Sequence, residues 1–318
     1  MMRSMENELQ VVFGAGQVGR LLAERLVARG SRVRVVRRSS GAPTGAELLQ
    51  GDAADPQLCA RAVAGARVVY HCLNPPYDSA AWAKLVPRYM DNLIVATGEA
   101  GARLVVLDNL YMLGRTAGVP MNEDTPINPC SRKGEIRARA AERLFSAHRR
   151  GEVQAVSGRA SDYYGPGGEL THLGAQFWKP ALAGKRGRLL IDPDAVHTYH
   201  YIPDVAAALA VLGTGEEDVL GRAWMLPCAR AGSLRQLIER FATALGRPLQ
   251  ITVAPRWLLK LGAHMVPFLR EIDEMRYQWE EPFVVDDRRF RQRFGLVPIP
   301  LDEAAKATVD WATRAYGT

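Results

Sequence analysis

Gly14, Gly16 and Gly19 form a G-x-G-x-x-G array between the apolar run Leu9–Phe13 and the helical spacing of residues 21–28. Strand, tight turn and helix is the setting in which this array binds a dinucleotide. Gly14 permits the turn, Gly16 lets the backbone approach a pyrophosphate, and Gly19 lets the helix pack closely on the strand. Gln17 and Val18, at the helix N-terminus, offer backbone amides to the phosphates. A second strand follows over residues 31–36, where an acidic residue at its end would hold a ribose 2′-hydroxyl. It ends instead in Arg37, Arg38, Ser39 and Ser40. Cationic forks and hydroxyl donors suit a 2′-phosphate. NADP is therefore expected ahead of NAD, the plainer reading of these residues being a solvated strand end.

The elements that must position this array alternate. Apolar runs at 67–72, 103–108 and 153–157 each follow a helical stretch, which implies a parallel sheet covered on both faces. The expected class is α/β, a Rossmann-type doubly wound sheet with a smaller, mainly helical C-terminal lobe. Helices are expected over 80–100, 134–150 and 301–315. Glycine and proline crowd into Tyr164-Gly-Pro-Gly-Gly168, and the alternation breaks there. A strand near 198–202 and a helix capped by Asp204 are expected to return to the main sheet. Residues 1–165 with 196–227 then form the dinucleotide-binding domain, and 166–195 with 228–318 the substrate lobe.

With 318 residues, 47% of them hydrophobic, the chain can bury a large core. Its net charge of +7 comes from arginines spread along the sequence, without a basic block or a nucleic-acid motif. An anionic small molecule explains this charge as well as a nucleic acid would. Cys59, Cys72, Cys130 and Cys228 are scattered, so neither a zinc site nor a disulfide framework is indicated, and a reduced cytoplasmic protein is expected. The first ten residues lack the apolar stretch of a signal peptide. No segment reaches the ~18 apolar residues of a membrane span. WLLKLGAHMVPFLR, residues 257–270, comes nearest, but Lys260, His264 and Pro267 interrupt it. A helix covering a substrate pocket is favoured there over a membrane-surface helix, and no membrane partner is expected.

Over nearly its whole length the chain resembles the extended short-chain dehydrogenases/reductases, the NAD-dependent epimerase/dehydratase group. The stretches that carry the resemblance are Gly51-Asp52-Ala53-Ala54-Asp55, Tyr111-Met-Leu-Gly114, Glu123-Asp-Thr-Pro126, Gly158-Arg159-Ala-Ser-Asp-Tyr-Tyr-Gly-Pro166 and Tyr199-His-Tyr-Ile-Pro-Asp204. Residues 290–298 and Trp311 complete the set. The resemblance implies that Asp52, Ala53, Leu73, Asn74, Arg137 and Ala160 join the glycines around the cofactor, and that a homodimer forms through the helices at 80–100 and 134–150. Two features depart from the family. Its extended members usually carry GxxGxxG, one residue looser than the loop here. Its chemistry usually needs a Ser or Thr at the end of strand five, then a Tyr and a Lys four residues apart on the next helix. In this chain Asn109, or Leu110 in a shifted register, takes the Ser position. Lys133 and Arg137, or Gly134 and Ala138, take the other two.

Asn109 can still donate a hydrogen bond to a substrate oxygen, while Tyr111, Lys133 or water is left to handle the proton. A lysine beside Arg132, Arg137, Arg139 and Arg143 more commonly lies on a solvated face. Candidates for the substrate are Asn74 and Pro75 after strand four, with Asp162, Tyr163, His172, His197 and Tyr199. The resemblance places an Arg at His197 in nucleotide-sugar enzymes, to hold the diphosphate, so the histidine weighs against such a substrate. His197 and His200, three apart on a strand, are expected to point to opposite faces and not to share a metal. The leading reading is an NADP-dependent oxidoreductase acting on a carbonyl, enone or imine of a small organic molecule. One alternative is a non-catalytic NADP-binding regulatory protein. Another is an epimerase, isomerase or dehydratase that uses bound cofactor.

Overall fold

The computed structural model describes residues 7–230 and 232–317. In chain order the first elements are β1 (Leu9–Phe13), α1 (Gln17–Ala28), β2 (Arg32–Arg37), β3 (Ala46–Gln50), α2 (Pro56–Val63) and β4 (Ala66–His71). There follow α3 (Ser79–Glu99), β5 (Arg103–Asp108), α4 (Arg132–Arg149), β6 (Gln154–Arg159), β7 (Asp162–Tyr164), α5 (Ala175–Leu182), β8 (Gly187–Leu189), β9 (Tyr199–Tyr201), α6 (Ile202–Thr214) and β10 (Ala223–Met225). The chain ends with α7 (Leu234–Leu245), β11 (Ile251–Val253), α8 (Arg256–Met265), α9 (Pro267–Glu274), α10 (Arg288–Phe294) and α11 (Leu301–Tyr316).

Two compact units emerge. The first comprises 1–112, 132–160 and 205–226, and the second 113–131, 161–204 and 227–318. The first is built on a seven-stranded sheet in the order β10-β6-β5-β4-β1-β2-β3. Every pairing in it is parallel, so the connections cross over the sheet, through helices that cover its faces except between β2 and β3, which a loop joins. Val11, Phe13, Val69, Leu104, Val106 and Ala155 point to one face and join Leu58, Ala62, Trp82, Val86, Leu93 and Leu144 of α2, α3 and α4 in a continuous core. Towards the other face, Tyr70 donates to Gln10 at 2.8 Å and Gln10 donates to Ser31 at 2.6 Å, so the polar groups buried there are paired. Helix α6 is buried from Val205 through Leu212 because its apolar residues run all round it.

The glycine turn is where the packing is tightest. Gly14 has φ +92°, a conformation open to glycine, and its amide is held by the Val36 carbonyl at 2.9 Å. A Cβ on Gly19 would lie 1.9 Å from the Gly14 carbonyl oxygen, whereas one on Gly16 would meet nothing within 4 Å. The first and third glycines are thus required by the fold, whereas the fold itself would accept a side chain at the middle one.

The second unit carries two small parallel pairs, β7 with β9 and β8 with β11, among α5 and α7 to α11. Strand β9 therefore does not return to the main sheet as the sequence implied; β10 does, alongside β6. Nor does Asp204 cap a helix: α6 starts at Ile202, and the buried Asp204 carboxylate accepts the Ile299 amide at 3.1 Å. The sequence shows a good cap residue before an Ala-rich run, but a long-range amide competes for the same carboxylate.

The glycine geometry makes a prediction. Gly19→Ala should destabilise the protein by about 1–3 kcal/mol, the usual cost of overpacking, while Gly16→Ala should leave the denaturant midpoint almost unchanged. Equal midpoints for the two variants would overturn the packing account.

Candidate active site

In the first unit the strand ends gather the groups named from the sequence. Helix α1 begins at Gln17 after Gly16, with no side-chain cap and no acidic residue in its first turn. Its N-terminal amides are thus presented to an anion without a competing carboxylate. Gly16 is exposed and Gln17 half-buried, while Val18 packs into the core. Together with the open space above Gly16, this makes a cradle that fits a pyrophosphate. Arg38, Ser39 and Ser40 are exposed at the end of β2, and Arg37 is half-buried. The neighbouring β3 end is tied to them, with the Gly51 amide on the Arg37 carbonyl at 3.0 Å and Gln50 on the Arg38 carbonyl at 2.8 Å. Asp52 spends one oxygen on the Ala54 amide at 2.9 Å. Ala53 is buried, its carbonyl held by Asn92 at 2.8 Å.

Helix α4 presents Lys133 and Arg137, four residues apart, on one buried face. This corrects the solvated-face reading for these two residues; Arg132 and Arg139 do face solvent. Lys133 is fully buried. Its Nζ donates to Ser79 Oγ at 3.2 Å and stands 4.7 Å from the centroid of the Tyr77 ring. Arg137 donates to Asn74 Oδ1 at 2.8 Å, lies 3.6 Å from Asp108 Oδ1, and stacks its guanidinium 4.8 Å above Trp82. Gly134, in the shifted register, is buried and has no side chain to offer.

Trp82 also stacks on Tyr111, with ring centroids 6.0 Å apart and an interplanar angle of 16°. Tyr111 is thereby placed as an aromatic wall beside Trp82. Asn109 uses its side-chain oxygen to accept the Tyr111 amide at 3.1 Å, and its own amide donates to Asp108 at 2.9 Å. The Asn109 side chain therefore shapes the turn after β5 with its oxygen and keeps its amide group as the donor. Leu110 is buried in the core. Leu73 is half-buried, Pro75 is buried and Asn74 exposed after β4, and the Ala160 amide donates to the Asp108 carbonyl at 3.1 Å.

Sequence reasoning passed over Ser79, Trp82 and Asp108. Asp108 had a readable signal, since it ends a strand of a parallel sheet. The other two lie at the start of α3, where only folding brings them against α4.

The second unit holds a separate cluster. His197 Nδ1 lies 3.1 Å from the Gln278 carbonyl oxygen, so that nitrogen carries a proton. Its Nε2 lies 3.0 Å from both Ser161 Oγ and Asp162 Oδ2. A Ser-His-Asp relay needs the serine and the carboxylate on opposite ring nitrogens, so this is no hydrolase triad. His172 Nε2 is 3.7 Å from Asp162 Oδ2, and its ring meets Trp279 edge-on at 4.9 Å. Burial pushes the Asp162 carboxyl up, but the His197 hydrogen bond and the charges of His197, His172 and His200 outweigh it, holding it below the usual carboxylate range. Burial lowers the His172 pKa, with Asp162 only partly offsetting it.

The sequence placed His197 and His200 on opposite faces, yet both reach Ser161, His200 accepting its amide at 3.1 Å. The reason is that β9 starts at Tyr199, and His197 precedes it in an isolated bridge to Phe283. Strand alternation does not run between them. No group of three or more metal-ligating side chains occurs among the described residues. Tyr199 is buried against His197, with ring centroids 4.7 Å apart, and Tyr163 is half-buried opposite His200 in the β7–β9 pair.

The sequence model of the NAD dependent epimerase/dehydratase family matches residues 11–225. The chain belongs to that family. A search of curated protein sequences returns no match. Among solved structures, members of similar fold include UDP-glucuronic acid 4-epimerase from Bacillus cereus in complex with NAD, with TM-score 0.77, 15% identity, and coverage of 97% of this chain and 99% of that one. UDP-glucose 4-epimerase from Thermotoga maritima, with UDP-glucose, has TM-score 0.77 and 17% identity over 96% and 99% of the two chains. The Bordetella bronchiseptica enzyme WbmH, in complex with NAD+, has TM-score 0.73 and 19% identity over 98% and 100%. Membership of this family favours the epimerase, isomerase or dehydratase alternative over the oxidoreductase reading. Among the described residues no helix is long and apolar enough to cross a membrane.

His71, at the end of β4, reports on this family member's buried charge. Burial, and then the charge of Arg137, lower its pKa to about 3. A folded pKa below the unfolded value of roughly 6.5 contributes stability that is present above pH 6.5 and is lost as pH falls towards 3. Between pH 7 and 5 the wild type should lose roughly 2 kcal/mol more than His71→Asn in urea unfolding. Identical pH dependence in the two proteins would overturn this account.

Proposed function

We propose that the chain is a nicotinamide-dinucleotide-dependent enzyme of the epimerase or dehydratase kind, acting at a hydroxyl-bearing carbon of a small organic molecule. The observation that carries the reading is Lys133, a buried cation where the family's phenol is expected, with Arg137 one turn further on. A bound nicotinamide supplies hydride uptake and return. Lys133 holds or moves the proton at the substrate oxygen, positioned by Ser79 and by the face of Tyr77. Arg137, anchored by Asn74 and Asp108, takes the ribose-holding role of the family's lysine. Tyr111 and Trp82 form an apolar wall that excludes water, and Asn109 offers its amide to the substrate.

Asp162, Tyr163, His172, His197 and Tyr199 are the residues proposed to recognise the substrate. The solved neighbours act on UDP-sugars by name. Here the pairing of His197 with Asp162, in place of an arginine, favours a substrate without a diphosphate. NADP is the proposed cofactor, although the solved neighbours carry NAD, because residues 37–40 hold two arginines and two serines and no carboxylate.

A reductase reading stands second, favoured by the ammonium at Lys133. A cation donates a proton readily and suits net reduction of a carbonyl. The two readings separate in one assay. An epimerase or dehydratase leaves the cofactor's oxidation state unchanged over each turnover, whereas a reductase consumes reduced cofactor in proportion to product.

Two variants test the assignments. Lys133→Met should lower kcat about 100-fold or more while dinucleotide affinity, read by fluorescence titration, stays the same; an unchanged kcat would remove Lys133 from the chemistry. Arg37→Ala with Arg38→Ala should weaken NADPH binding about tenfold or more and NADH binding far less. Equal losses would sink the NADP preference.

A further inference from the structure

Helices α8 and α9 carry an outward apolar face that the proposed enzymatic function leaves unused. Trp257 is 68% exposed, Leu261 59% and Met265 84%, and Leu258, Val266 and Phe268 are also exposed. At about 100° per residue, Trp257, Leu258, Leu261 and Met265 share one arc of α8. Leu259 and Ala263, on the opposite side, are the buried residues of that helix. These large side chains are exposed and not packed into the core of their unit. The two helices are held together through Gly262, where a Cβ would come 2.6 Å from the Leu269 side chain. The apolar arc and Phe268 therefore belong to one packed hairpin.

The charges on α8 have one sign, whereas α9 ends in Glu271, which is buried, Asp273, which Arg276 holds at 2.8 Å, and Glu274. Between residues 256 and 270 stand Arg256, Lys260, His264 and Arg270, and no Asp or Glu. Arg256 is engaged by Glu280 at 2.6 Å. Lys260 and His264 flank the apolar arc, and both are exposed, as is Arg270. A helix with Trp, Leu and Phe on one face and basic residues beside it is built to lie in a membrane interface. Its cations also match the negative surface of anionic lipid. A second copy of this chain fits less well, because a two-fold contact sets the same patch against itself and opposes like charges.

We propose that the α8–α9 hairpin docks this protein on an anionic lipid surface, with Trp257, Leu261, Met265 and Phe268 entering the interface and Lys260 and Arg270 meeting headgroups. The docking is peripheral and independent of the catalytic assignments above.

The test is co-sedimentation of the full-length protein with phosphatidylcholine vesicles, with and without about one third phosphatidylglycerol. Anionic vesicles should bind at least about tenfold more protein, since each cation near such a surface contributes about fivefold, and high salt should weaken the binding. A Trp257→Ser/Leu261→Ser/Met265→Ser variant should lose the binding while keeping its melting temperature and dinucleotide affinity. A Lys260→Glu/Arg270→Glu variant should lose the preference for anionic lipid. Failure of the wild-type protein to bind either vesicle overturns the proposal, as does undiminished binding by the folded triple variant. Self-association by sedimentation velocity that the triple variant abolishes, without vesicle binding, overturns it in favour of a second copy.

Discussion

The buried guanidinium of Arg137 is the constraint around which the first unit is arranged. A charge taken out of water is tolerated only where hydrogen bonds and an opposite charge replace the solvent. Asn74 after β4, Asp108 at the end of β5 and the face of Trp82 at the start of α3 provide that replacement. One side chain on α4 thereby ties two strand ends and a second helix together. The same charge helps to hold His71 neutral. Because α4 is rigid, fixing Arg137 also fixes Lys133 one turn earlier, against Ser79 and Tyr77.

That arrangement gives the family's scaffold a different electrostatic character. A phenol can act as a neutral donor or an anionic base, whereas Lys133 and Arg137 stack two cationic side chains on one helical face. The rings of Tyr77 and Trp82 face these cations, and Asp108 lies beside Arg137. In the second unit the balance is reversed. There the carboxylate of Asp162 is stabilised by histidines, and His197 is locked by a backbone carbonyl on its far nitrogen.

The sheet, its crossover helices and the glycine turn were legible because they repeat short-range patterns. Apolar runs between helices can be buried only in a parallel sheet, and Gly14 and Gly19 are demanded by a turn that spans six residues. The failures share a different cause. Asp204 looked like a cap because its neighbours are helical, yet it serves the amide of Ile299, far along the chain. Strand β9 looked like a return strand because it precedes a buried helix, yet its partner is β7. His197 was assigned to a strand that begins two residues later. In each case the deciding contact lies tens of residues away, where local pattern carries no information.

By itself the sequence determined the class of fold, the cradle for a dinucleotide, the positively charged end of β2, and the absence of the family's tyrosine and lysine. These follow from residue type and short spacing, and no folding can add a side chain that the chain lacks. Only the tertiary structure decided that Lys133 and Arg137 are buried and engaged, that Asp162 pairs with His197, and that the apolar residues of α8 face outward. Burial and pairing depend on which surfaces meet, and a helix read alone carries the same pattern whether its apolar stripe turns towards the core or towards solvent.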